Sequence, residues 1–76
     1  MNILEKGIYR HYKGNLYELT GIARHSETEE LFAVYKALYQ QDGENLWIRP
    51  LSMFSEMVLV NGIQEPRFRF EGKKIQ

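Results

Sequence analysis

Four residues in this chain are of types that build a recognition surface: Tyr35, Tyr39, Trp47 and Arg49. A guanidinium is a rigid fork of donors that suits carboxylate or phosphate, and it also packs over aromatic rings. Tyrosine and tryptophan add broad, stiff, amphipathic area. Arg24 is a second candidate anchor for an anion, and His11, His25 and Glu27 could form a hydrogen-bonding rim. The same three residues invite a competing chemistry, a two-His-one-carboxylate metal site or an acid–base pair. Their spacing matches no metal motif, so the expectation is no metal and no cofactor. Ser26 beside His25 makes a poor nucleophile–base pair, because neighbours on a strand point to opposite sides.

Other chemistries are excluded outright. The chain has no cysteine, which removes disulfides, thiolate zinc sites and thiol nucleophiles. It has no phosphate-cradling glycine loop and no GxSxG elbow. The expectation is a binding module rather than an enzyme. With 76 residues there is room for one domain, placed over 1–76 with its core at 7–70 and a frayed tail at 71–76. No apolar run approaches a membrane span, and no secretory signal opens the chain, so the expected location is the cytoplasm.

Ten basic and ten acidic residues cancel, which argues against a strongly basic nucleic-acid binder. The charges are unevenly spread. Acids dominate residues 26–65, while Lys6, Arg10, Lys13 and Arg24 near the start, and Arg67, Arg69, Lys73 and Lys74 near the end, would form a positive patch if the two ends met. Nucleic acid therefore stays as the alternative partner to a peptide or a small anionic ligand.

Short strands position these residues. Aromatic and β-branched content with alternation predicts strands at 7–12, 16–24, 31–40, 46–49, 57–60 and 67–70. Gly21 marks a bulge or bend in the second. Asp42-Gly43 and Asn61-Gly62 are turn signals, and Pro50 opens a single helical turn over 50–54. A helix over 31–40 is the competing reading, and the Ser26-to-Glu29 spacing matches a capping box. The preferred fold is all-β: a small SH3-like barrel or a strongly bent antiparallel sheet of five to six strands with one short helical turn.

Closing the third hairpin over 41–45 sets Tyr39 opposite Trp47 and Ala37 opposite Arg49. Closing the second over 25–30 sets Arg24 opposite Leu31 and Gly21 opposite Val34. One face then holds Tyr17, Leu19, Gly21, Ala23, Phe32, Val34, Leu38, Leu46 and Ile48, the expected core, with the Lys36 stem snorkelling beside it. The opposite face holds Tyr35, Tyr39, Trp47 and Arg49, with Glu18 expected to reach Arg49 across Ala37. This face is a ligand platform, a homodimer interface, or a surface covered by the 50–54 turn or the last strand.

Gly7-Ile8-Tyr9-Arg10-His11-Tyr12-Lys13-Gly14, Ala23 to Thr28, Tyr35 with Leu38-Tyr39, Trp47-Ile48-Arg49-Pro50 with Met53-Phe54, and Pro66-Arg67-Phe68 together resemble a small bacterial family, the domain-of-unknown-function family sixteen fifty-three. The resemblance runs from about Gly7 to Phe68. It implies a free-standing bacterial domain and carries no activity with it.

Overall fold

The computed structural model of the chain describes residues 4–40 and 43–73. Seven strands and one helical turn follow in the order β1 (Gly7–His11), β2 (Leu16–Arg24), β3 (Leu31–Ala37), β4 (Leu46–Pro50), α1 (Leu51–Phe54), β5 (Met57–Val60), β6 (Ile63–Pro66) and β7 (Phe68–Gly72). The all-β reading holds, and so does the helical turn after Pro50. The long helix considered over 31–40 does not form. Five strands make one antiparallel sheet in the order β4-β3-β2-β1-β7, and β5 pairs with β6 in a second. The large sheet is open rather than closed into a barrel, with β4 and β7 at its edges. No helix among the described residues is long and apolar enough to cross a membrane.

The seventh strand comes from Asn61-Gly62. Both residues have positive φ, 52° and 79°, the geometry of a two-residue hairpin turn. Val60 therefore faces Ile63, and residues 63–66 become β6. At the other end, β7 continues through Gly72, beyond the expected core; residues 74–76 lie outside the described residues.

Two register details decide which face is the core. Arg24 faces Leu31 and Gly21 faces Val34, as expected, but the ladder slips between Leu19 and Gly21, so Leu19 rather than Thr20 faces Tyr35. This is the bulge signalled by Gly21. The next hairpin is longer than expected. Leu38 N–H donates to Leu16 O of β2, Gln40 N–H donates to Ala37 O, and Ala37 N–H donates to Asn45 O. The chain turns after Ala37, and Tyr35, not Tyr39, faces Trp47, while Ala33 faces Arg49.

The slip of four residues preserves parity, so Tyr35, Trp47 and Arg49 share a face as predicted. That face, however, is the buried one. Ala33, Tyr35 and Ala37 are buried together with Tyr9, Leu19, Phe54 and Phe68. The expected core of Gly21, Ala23, Phe32, Val34, Leu46 and Ile48 is corrected to the outer face, where Leu46 is 61% and Ile48 64% exposed. The reason is what covers the sheet. Phe54 from α1 and Phe68 from β7 stack at 4.1 Å, 5° from parallel, and both close on Tyr35, at 5.4 and 5.6 Å. Ala33 and Ala37 flank Tyr35 on its own strand and leave width for those rings.

The charge patch expected where the termini meet also forms differently. β1 does pair with β7, bringing Arg10 opposite Arg69. Yet Arg10 bonds Glu71 at 3.0 Å, Arg69 lies 3.7 Å from Glu65, and Arg67 bonds Glu56 at 3.1 Å. The arginines near the termini are neutralised locally.

Removing the Phe54 ring should be among the most damaging substitutions. Phe54→Ala leaves a cavity in a thin core and is expected to cost about 3–5 kcal/mol. Leu59→Ala, at an exposed position, should change stability by no more than about 0.5 kcal/mol. Urea denaturation of both variants checks the contrast.

Candidate functional site

Tyr17 is the hub of the polar end of the buried face. Its ring packs edge-on against Tyr35 at 5.4 Å, Tyr39 at 5.5 Å and Phe68 at 5.5 Å, and lies 6.2 Å from His11. The Tyr17 and Tyr39 hydroxyls share a hydrogen bond of 3.1 Å. Arg49 Nε donates to the Tyr35 hydroxyl at 3.4 Å. Trp47 projects on the same side, because cross-strand partners and residues two apart share a face. Tyr35 is only 5% exposed, whereas Tyr39 is 55% and Trp47 47% exposed. Core rings therefore grade into open ones, with a half-buried guanidinium between them.

Positioning follows from local structure. β3 and β4 present Tyr35, Trp47 and Arg49 through their ladder. Tyr39 sits beyond β3, in the turn held by Gln40 N–H on Ala37 O, and reaches Tyr17 rather than Trp47. His11 ends β1, and its Nδ1 accepts from Lys13 N–H at 3.1 Å in the turn that follows. The imidazole rests against Phe68, ring centres 5.0 Å apart.

The electrostatics are consistent with this placement. The His11 pKa is lowered from its ordinary value, first by burial and then by the positive charges of Arg67, Arg49 and Lys13. Tyr17 is pushed up to about 12, mainly by burial and then by the Tyr39 hydrogen bond, with Arg49 pulling it down. Arg67 is engaged with Glu56, while its Nε is buried without a hydrogen-bond partner among the described residues. Arg49 makes no ion pair among the described residues. Glu18, expected to meet it, lies opposite Lys36 and Ile8, on the other side of the sheet from Tyr17 and Leu19.

Of the residues singled out from the sequence, His11, Tyr35, Tyr39, Trp47 and Arg49 converge. Arg24, His25 and Glu27 do not. β1 covers only residues 16–19 of β2. His11 thus lies at the start of β2 and His25 just past its end, about 30 Å away at the rise of an extended strand. The two-His-one-carboxylate arrangement is not assembled, and no group of three potential ligands for a metal ion occurs among the described residues.

His25 serves the hairpin instead. Its Nδ1 accepts from Glu27 N–H at 3.0 Å and Thr28 N–H at 3.2 Å, and Thr28 Oγ1 accepts from Glu30 N–H at 3.2 Å. Arg24 Nη1 donates to Glu29 O at 3.3 Å, fixing a residue with φ of 65°. The His-Ser-Glu-Thr string is the hydrogen-bonding chemistry of a six-residue turn.

Tyr17, Arg67 and Phe68 join the site although the aromatic face read from the sequence does not include them. Simple alternation places Tyr17 on the opposite face, and its true side depends on the Gly21 bulge. Phe68 arrives with β7, and Arg67 just before it; the pairing of β7 with β1 has no local signal.

Two outcomes follow. The lowered His11 pKa means that the unfolded chain holds more protons than the folded one between the folded value and the ordinary 6.5. Stability should be full above pH about 6.5, fall on acidification below it, and level off beneath the folded value. His11→Gln should flatten this part of a denaturation-versus-pH series. Separately, His25→Ala should speed amide hydrogen exchange at Glu27 and Thr28, while Glu27→Ala should leave both rates unchanged.

The model of the family described as a protein of unknown function, DUF1653, matches residues 7–70. No curated protein matches the chain. A crystal structure of a DUF1653 protein from Bordetella bronchiseptica is similar over 96% of this chain and 94% of that one, with 37% sequence identity and a TM-score of 0.85. Family match and structural similarity extend over the same sheet, α1 and β5–β6 hairpin, and the chain belongs to the DUF1653 family.

Proposed function

We propose that the chain is a small binding module whose site, on the sheet face that carries the core, takes a carboxylate- or phosphate-bearing ligand. Arg49 is the anion anchor, Trp47 and Tyr39 are the apolar walls, and His11 is the rim. The observation that carries this reading is the state of Arg49. Among the described residues, this half-buried guanidinium holds only a phenol hydroxyl at 3.4 Å, while three other arginines lie against carboxylates. A partly desolvated cation without a counter-charge favours an incoming anion, since burial strengthens the attraction. The positive charges that depress His11 act in the same direction.

A peptide carboxylate or a small anionic molecule fits this chemistry better than nucleic acid. The neutral total charge and the acids paired with Arg10, Arg67 and Arg69 leave no continuous basic track for a phosphate backbone among the described residues.

Titration with inorganic phosphate and with acetate, followed by the His11 ring resonances and the Trp47 indole signal, tests the reading. Bound anion should raise the His11 pKa and shift both signals. Arg49→Gln should abolish the response, and Arg24→Gln should retain it. Absence of any response at His11 and Trp47 to either anion in the unmodified protein would sink the proposal. Salt-sensitive retention of a single-stranded oligonucleotide with no response to the small anions would favour nucleic acid instead.

A further inference from the structure

The two edges of the large sheet are built differently. β7 carries Arg69 and Glu71, and its ladder with β1 is broken by an irregularity at Ile8 and Tyr9. Charge and irregularity are the usual protection against another strand docking. β4 is protected only at its far end, by Arg49 and Pro50; the Leu46–Ile48 stretch before them carries no charge and no proline. Its ladder with β3 is uninterrupted, and Leu46, Trp47 and Ile48 are all exposed. Among the described residues no strand lies beyond it. Phe32 and Val34, half-buried on the outer face, continue the apolar surface inward from Ile48.

We propose that a second copy of this chain pairs with β4, strand to strand and antiparallel, with the two-fold axis at Ile48. The sequence of β4 is complementary to itself in that register. All five residues overlap: Ile48 faces its own copy, Trp47 faces Arg49 twice, and Leu46 faces Pro50 twice, the last a pair in which proline has no N–H to donate. The Trp47–Arg49 pair sets a guanidinium beside an indole across the strands, a favourable contact. An axis at Arg49 would oppose two like charges, and an axis at Trp47 would leave Arg49 and Pro50 without strand partners. Zero formal net charge removes long-range repulsion between copies. The five strands become ten, and the outer apolar residues run across the axis. On the opposite face, each copy's Trp47 meets the other's Arg49, so the two anion sites form one composite surface. This last consequence rests on the binding reading above; the pairing itself does not.

Light scattering coupled to gel filtration tests the pairing on the full chain. The expected mass is twice the 9.0 kDa of one chain. Ile48→Glu places two carboxylates on the axis and should halve the mass with unchanged circular dichroism; Leu59→Glu, at another exposed apolar position, should leave the dimer intact. Register is read separately. The chain has no cysteine, so Ile48→Cys introduces a lone thiol that should cross-link on mild oxidation, whereas Lys36→Cys, one strand further in, should not. A single-chain mass at every concentration, an open-ended series of larger species, or a dimer that survives Ile48→Glu would overturn the proposal. Intact dimers that ignore phosphate and acetate would remove the binding reading alone.

Discussion

The stack of Phe54 on Phe68 is the contact on which the architecture turns. One ring comes from a single helical turn, the other from the last strand, and together they cap the same tyrosine. A five-stranded sheet has two faces that alternation alone makes equivalent. The side that receives these rings becomes the core, and the other is left to water. Among the described residues nothing else is large enough to reverse that choice: their buried set holds seven hydrophobic residues, four of them aromatic.

The candidate site is the border of that core rather than a cavity inside it. Tyr35 is pressed under the phenylalanine pair, Tyr17 bridges it to Tyr39, and Arg49 closes the row beside the open indole. Ring-to-ring contacts fix positions that hydrogen bonds alone would leave soft in a domain this size. Burial also perturbs the titrating groups there, lowering His11 and raising Tyr17. Packing and electrostatics thus have one cause, the closing of the aromatic end of the sheet.

The histidines show how similar sequence signals diverge. Each Nδ1 accepts backbone N–H groups of the turn that follows it. One turn lies against the aromatic cluster, the other about 30 Å away at the rise of β2. A polar string such as His-Ser-Glu-Thr invites a catalytic reading, yet every hydrogen bond observed for His25 and Thr28 stabilises the hairpin.

Local chemistry in the sequence determined six of the seven strands, the helical turn at Pro50, the bulge at Gly21 and the shared face of Tyr35, Trp47 and Arg49. These follow from period-two alternation, proline and glycine geometry, and the parity of cross-strand pairing, all of which act over a few residues. Only the tertiary structure decided which face is inside, because that depends on rings delivered from residues 54 and 68. It also decided the partner of Tyr39, since the turn after Ala37 is held by Leu38 bonding across to β2. The separation of His11 from His25 likewise required knowing where β1 ends along β2. Each of these rests on contacts between residues distant in the chain, to which alternation and turn chemistry are blind.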